Sequence, residues 1–189
     1  MIVEVFIKNM VCDRCIKVVR NELGEAGVEV KDVELGRLVY ESTNKTEDVK
    51  KLDKVLIENG FELLESSDKI LVEKVKLSLI RLLENLPVQK TGTLSGYLSE
   101  KTDCDYSRLS RVFSYTENTT VEKYFIKLKI EKVKELIQSR EFNFTEISQL
   151  LDYSNVNHLS RQFKSETGMN LTDYKSIDEN FRNSLDQIL

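Results

Sequence analysis

A five-residue string occurs twice in this chain, as Leu109-Ser110-Arg111-Val112-Phe113 and as Leu159-Ser160-Arg161-Gln162-Phe163, 50 residues apart. Its surroundings repeat with it. Leu98-Ser99 answers to Ile147-Ser148 and Asp103 to Asp152 at an offset of 49, so the second copy gains one residue in its turn. Asn118 pairs with Gly168 and Tyr124 with Tyr174, again at 50. Asn and Gly are the residues that most readily take positive φ, and both stand just past an amphipathic run, where a helix C-cap needs that geometry. One supersecondary unit has been used twice, and its pattern of short helix, tight turn and second helix is that of a helix-turn-helix.

In the first copy, Tyr97, Leu98 and Lys101 precede a turn at Thr102-Asp103, and Asp105 is placed to cap a helix that buries Leu109, Val112 and Phe113. In the second, Asn143-Phe144-Thr145-Glu146 resembles a capping box with Asn in the Ser/Thr position, and Ser154 is expected to cap the helix carrying Leu159 and Phe163. Polar residues fall on the outward faces: Tyr106, Ser107, Arg108, Ser110 and Arg111 in one helix, Asn155, Asn157, His158, Ser160 and Arg161 in the other. Asn, Ser and Arg on an exposed helix start suit base edges in a major groove, and Arg108, Arg111, Arg161 and Lys164 suit the flanking phosphates. Between the copies, Ile126, Ile130, Val133 and Ile137 mark one apolar stripe on a connecting helix of about 14 residues, roughly 21 Å long.

Residues 93 to 176 thereby resemble the DNA-binding domain of the AraC/XylS family of bacterial transcription regulators. The resemblance implies two recognition helices set in successive major-groove segments of double-stranded promoter DNA. Leu171 stands where that family usually has Pro, Lys175 where it has Arg, and Asp103 and Asp152 where Gly is common in the turns. Asp tolerates left-handed backbone, so the turns survive. A plain helical bundle would also place Arg outward, but it has no reason to repeat its turn, caps and aromatics at a fixed spacing. Residues 91 to 176 hold 12 Lys and Arg against 12 Asp and Glu, so any positive field comes from local placement and non-specific affinity is expected to be weak and salt-sensitive.

The first third of the chain has a different rhythm. Ile2–Lys8 alternates, 15–23 is helical with Ile16, Val19 and Leu23 inward, and 28–35 and 38–42 alternate again. Val49, Leu52 and Leu56 mark a second helix and 61–65 a last strand. That order, β-α-β-β-α-β, is ferredoxin-like. Its first loop carries Met10-Val11-Cys12-Asp13-Arg14-Cys15. One thiol in a loop and one in the first helical turn brings two sulfurs together, and the helix dipole with Arg14 and Lys17 favours thiolate. Two thiolates with no histidine or carboxylate at ligand spacing suit a soft ion: Cu(I) first, with Ag(I), Hg(II) or Zn(II) as alternatives. A reversible dithiol and a site kept only as a fold element are the other readings of the pair.

This segment resembles the heavy-metal-associated domain of copper chaperones and metal-transport ATPases. Asn9-Met10-Val11-Cys12-Asp13-Arg14-Cys15 matches that family's Gly-Met-Thr-Cys-x-x-Cys, with Asn for Gly and Val for Thr. Gly60-Phe61 falls where the family places a ring near the metal. The resemblance implies Cys12 and Cys15 as ligands, Met10 as a packing residue, and a metal donor or acceptor protein as a further partner. Cys104 takes a bland role, an apolar slot in the first turn matching Tyr153.

The expected architecture is therefore an α+β ferredoxin-like domain at 1–66, a helical connector at 67–92 that opens the next domain, an all-α double helix-turn-helix domain at 93–176, and a tail at 177–189 anchored by Leu185 and Ile188. In the connector, Val72, Val75, Leu79, Leu82 and Leu86 form a seam that packs on its own core or, in the alternative, pairs with a second copy, as a monomer or homodimer. With 189 residues and 40% hydrophobic content, the chain can bury two modest cores. Met1-Ile2-Val3-Glu4 enters a strand pattern without a basic leader, no run is long enough to span a bilayer, and three cysteines form no disulfide framework, which points to the cytoplasm. A single histidine and no paired carboxylates or phosphate loop argue against an enzyme. The expected function is a metal-responsive transcription regulator; the alternative is a metal-trafficking protein whose second half docks a protein.

Overall fold

The computed structural model describes residues 1–88, 92–177 and 182–188, which divide into two compact units, Met1–Leu77 and Ser78–Leu189. The first unit runs β1 (Ile2–Lys8), α1 (Asp13–Glu25), β2 (Glu29–Glu34), β3 (Arg37–Glu41), α2 (Lys45–Glu58), β4 (Glu62–Leu64) and the start of α3 (Ser67–Glu84). The strands form one sheet in the order β2-β3-β1-β4, every neighbouring pair antiparallel. Val3 stands opposite Tyr40 and Val5 opposite Leu38. Alternation puts Ile7, Val33, Leu38 and Tyr40 on the buried face, where Val19 and Leu23 of α1 and Leu52 and Leu56 of α2 complete the core. Met10, from the loop after β1, is fully buried in the same cluster, in the packing role expected for it.

The expected boundary at residue 66 is displaced. The division falls inside α3, where Leu77 joins the core of the first unit by laying its Cδ1 over Gly36, far away in sequence. Gly36 has φ +74° and no Cβ, so it supplies both the turn between β2 and β3 and the space that Leu77 fills. Residues 67–77 are thus part of the sheet unit rather than a connector, and 89–91 of the expected connector lie outside the described residues. The seam is buried at Val72, Val75, Leu79 and Leu82 and half-buried at Leu86.

In the second unit the sequence repeat becomes a structural one. The helices are α4 (Leu94–Thr102), α5 (Tyr106–Glu117), α6 (Val121–Ser139), α7 (Phe144–Leu150), α8 (Val156–Thr167) and α9 (Leu171–Lys175). Leu98 and Ile147, Leu109 and Leu159, and Phe113 and Phe163 are all fully buried. Asp103 (φ 51°) and Asp152 (φ 57°) take the left-handed turns, and Asn118 (φ 52°) and Gly168 (φ 77°) end the second helix of each copy. The same backbone bond closes both turns, Cys104 N–H to the Ser99 carbonyl at 3.3 Å and Tyr153 N–H to the Ser148 carbonyl at 2.8 Å. Phe113 packs on Tyr124 with ring centroids 5.6 Å apart, and Phe163 on Tyr174 at 5.4 Å. The five residues of α9 are therefore the second copy of the opening of α6.

Side-chain caps start four of the six helices α4 to α9. Asn143 forms the expected capping box, accepting from Thr145 and Glu146 N–H while Glu146 accepts from Asn143 N–H at 2.7 Å. Thr93 and Thr120 cap α4 and α6. Two expectations are corrected. Asp105 holds the N-cap position of α5 but makes no side-chain capping bond, and α8 is capped by Asn155, one residue after Ser154, through the His158 N–H at 2.9 Å.

The connecting helix is longer and more buried than a single stripe allows. With 19 residues, α6 spans about 28 Å. Ile130, Val133 and Ile137 are buried as expected and Ile126 only half-buried, but Val121, Tyr124, Phe125, Leu128 and Leu136 are buried as well. Lys134 and Glu131 are buried as an ion pair of 2.6 Å, and the Lys129 ammonium sits 3.8 Å from the Tyr153 ring centroid. The described part of the tail docks here: Arg182 pairs with Glu135 at 2.8 Å, Asn183 N–H donates to Glu131 at 2.9 Å, and Ile188 is buried while Leu185 is half-buried in a 3₁₀ turn. Residues 178–181 and 189 of the expected tail lie outside the described residues.

Truncating either aromatic of the repeat leaves a large cavity. Phe113→Ala and Phe163→Ala should each cost about 3–5 kcal/mol in urea unfolding of this unit followed by far-UV circular dichroism, and Asn143→Ala about 1 kcal/mol; losses well below these would mean that the repeated core is not what holds the helices.

Candidate functional site

The second helices of the two copies, α5 and α8, present matched exposed faces. Ser107 and Asn157, Arg108 and His158, and Arg111 and Arg161 are all exposed, each pair 50 residues apart, while Ser110 and Ser160 are half-buried. Lys164 is exposed in the last turn of α8. No ion pair with another described residue engages Arg108, Arg111, Arg161 or Lys164, so their charges face outward uncompensated. His158 is held at the helix start, with Nδ1 3.2 Å from Ser154 Oγ and its ring edge-on to Tyr153 at 5.4 Å.

Two of the expected outward residues have other tasks. The Tyr106 hydroxyl donates to the Glu122 carboxylate, fastening the start of α5 to the first turn of α6. That bond holds the Glu122 carboxyl below its usual range, and burial, together with Glu122, pushes the Tyr106 hydroxyl above its own. The side-chain oxygen of Asn155 is committed to capping α8. One residue was missed: Tyr115 is 89% exposed, and it lies four residues after Arg111 and seven after Arg108, on the same face of α5. Its spacing from the two arginines was the available signal. Cys104 is half-buried rather than packed in a core, its Sγ 3.7 Å from the Asp105 carbonyl, whereas Tyr153 in the equivalent slot is buried.

In the first unit, Cys12 is the N-cap residue of α1 in extended conformation, and Cys15 lies in the first turn. The two Sγ atoms are 3.5 Å apart and both thiols are free. Asn9 takes φ 71°, so Asn occupies a left-handed position suited to Gly. The thiols are not equivalent. Burial works against ionisation of Cys12, but hydrogen bonds from the backbone and side chains of residues 14 and 15 outweigh it and hold that thiol below its ordinary value. Burial pushes the Cys15 thiol up against backbone hydrogen bonds from Cys12 and Val11, and the Cys12 side chain adds to the rise. The two shifts run in opposite directions. Among the described residues no group of three or more His, Cys, Asp or Glu is placed to hold a metal ion; the donor set is the sulfur pair alone. Metal–sulfur bonds of about 2.3 Å separate two sulfurs by about 3.8 Å at a tetrahedral angle and by about 4.6 Å when the ion lies between two sulfurs alone, so the pair, at 3.5 Å, must open to hold a thiophilic ion.

Residues 98–177 match the family model described as a helix-turn-helix domain. This segment is an AraC-type helix-turn-helix DNA-binding domain. None of the curated proteins matches the chain. Among solved structures the chain is similar to the C-terminal domain of AraT, a response regulator from Geobacillus stearothermophilus, with 21% identity, a TM-score of 0.47, and coverage of 58% of this chain and 90% of that one. No described helix is long and apolar enough to cross a membrane.

The AraC-type domain thus offers two second helices whose exposed residues include Ser, Arg, Asn and His, types that donate to base edges and phosphate oxygens. Outside that domain, the unequal thiols predict an order of reaction. Iodoacetamide in limiting amount should modify Cys12 before Cys15, and lowering the pH should slow Cys15 first, because Cys12 keeps its thiolate to lower pH. Peptide mapping by mass spectrometry checks this, and equal labelling would show that the hydrogen bonds to Cys12 are not operative.

Proposed function

We propose that the chain is a transcription regulator that binds double-stranded promoter DNA through α5 and α8 and a thiophilic metal ion, Cu(I) first among them, through Cys12 and Cys15. The observation that carries the DNA reading is the pair Arg111 and Arg161: the same residue, exposed on equivalent helices of an AraC-type domain. Arg108, Arg111, Arg161 and Lys164 contact phosphates or guanine edges, Ser107, Ser110, Asn157, His158 and Ser160 contact base edges or sugar-phosphate oxygens, and Tyr106 and Asn155 hold the helices that carry them. The helix–strand order β1-α1-β2-β3-α2-β4 and the strand order β2-β3-β1-β4 support reading the first unit as ferredoxin-like. The chemistry of the sulfur pair supports soft-metal binding, since thiolates select Cu(I) and its relatives over hard cations. A bound ion can alter DNA binding only by favouring one of two arrangements that differ in DNA affinity.

The balance of 12 basic against 12 acidic residues in 91–176 favours a second reading, a metal-trafficking protein whose helix-turn-helix unit docks a protein partner. Fluorescence anisotropy on the DNA upstream of the protein's own coding sequence, with metal-free and Cu(I)-loaded protein at fixed salt, separates the two. Arg111→Ala and Arg161→Ala should each weaken specific binding by about 1–3 kcal/mol, and a variant that loses a phosphate contact should lower the salt dependence by about one ion. Full affinity in both variants would remove α5 and α8 from the interface. Cys12→Ser should abolish Cu(I) binding with an unchanged far-UV spectrum; a variant that still binds Cu(I) places the ion elsewhere.

A further inference from the structure

Asn9 lies three residues before Cys12 and is held from two sides. Its side-chain amide donates to the Gly60 carbonyl at 3.3 Å, and its backbone N–H donates to the Glu73 carboxylate at 3.0 Å. Glu73 belongs to α3, 64 residues further along the chain, and is only 6% exposed. A buried carboxylate is costly unless donors meet it, and the Asn9 N–H is one of the donors that meet Glu73. In return, Glu73 helps keep Asn9 in a left-handed conformation that an L-residue adopts at a cost. The same stretch of α3 is tied to the sheet at two more points, Lys74 Nζ 4.9 Å from the Phe6 ring centroid and Leu77 over Gly36. The helix then continues without a break from Ser67 to Glu84, through the division between Leu77 and Ser78.

We propose that Glu73 is the positioning residue that couples the thiol loop to α3. It sets the backbone conformation from which Cys12 is presented at the start of α1. When an ion bridges Cys12 and Cys15 and the loop adjusts, the Asn9–Glu73 bond is strengthened or weakened, and the position of α3 is biased with it. The inference deepens the metal-responsive reading above and rests on it for its regulatory half; the positioning half stands on the metal-free geometry.

Full-length wild type, Glu73→Ala and Glu73→Gln give the test. Two quantities are measured: the alkylation rate of Cys12 by iodoacetamide in metal-free protein, and the ratio of affinities for the upstream DNA with and without Cu(I). Losing a hydrogen bond to a charged acceptor predicts a roughly tenfold change in the Cys12 rate. In Glu73→Ala the affinity ratio should fall to near one while metal-free DNA affinity stays within about twofold. Glu73→Gln keeps an acceptor oxygen and should restore most of both quantities. A merely structural role would lower both DNA affinities together and leave their ratio intact. Unchanged alkylation in Glu73→Ala, an unchanged ratio, or failure of Gln to rescue overturns the proposal. If Cu(I) leaves wild-type DNA affinity unaltered, the metal-responsive reading fails and the coupling half with it, and the alkylation rates alone decide whether Glu73 positions the loop. Should Glu73→Ala not fold, Glu73→Asp withdraws the carboxylate by one methylene and takes its place, with the same expected losses.

Discussion

The second unit depends on an aromatic contact made twice, Phe113 on Tyr124 and Phe163 on Tyr174. In each copy the ring at the middle of the exposed helix is pinned to the helix that follows, and a left-handed residue between them, Asn118 or Gly168, makes the reversal possible. Tilted and edge-to-face pairs of this kind add about 0.5–1.5 kcal/mol beyond their buried area. The energy matters less than the constraint. With Phe113 and Phe163 inward, the helical period leaves no choice about which side of α5 and α8 faces out, and Arg111 and Arg161 fall on that side two residues before the rings.

The features legible in the sequence were those whose physics is local. A left-handed turn selects Asp, Asn or Gly within one residue, a capping box closes within four, and strand alternation repeats every two, so Asp103, Asp152, Asn143 and the four strands stand where their residues predict. Features set by distant partners were hidden. Lys129, Glu131 and Lys134 look like a solvated face of α6, yet a tyrosine ring, an ion pair and the Asn183 side chain pay for their burial. Tyr106 has the composition of a reading residue, but its partner Glu122 is 16 positions away. The boundary inside α3 was equally invisible, because it turns on a leucine meeting a glycine 41 positions earlier.

The thiol pair was partly legible. That two sulfurs converge follows from their spacing at a helix start, and they do, at 3.5 Å. Their inequality does not follow from spacing. Cys12, in the loop, collects hydrogen bonds from the first turn, while Cys15 is more deeply covered and feels its neighbour.

The two copies run head to tail and no longer carry the same side chains outward: Ser107 and Arg108 in one correspond to Asn157 and His158 in the other. A symmetric dimer bound to a palindrome looks the same from either end of the duplex. A single chain with two unlike helices in fixed order does not; for it, a site and its inversion are different sequences. On the proposed reading, with both helices entering the duplex, the molecule would lie on DNA with a heading, one copy of the repeat upstream and the other downstream, and anything attached to one end of the chain would be delivered to one side of the site.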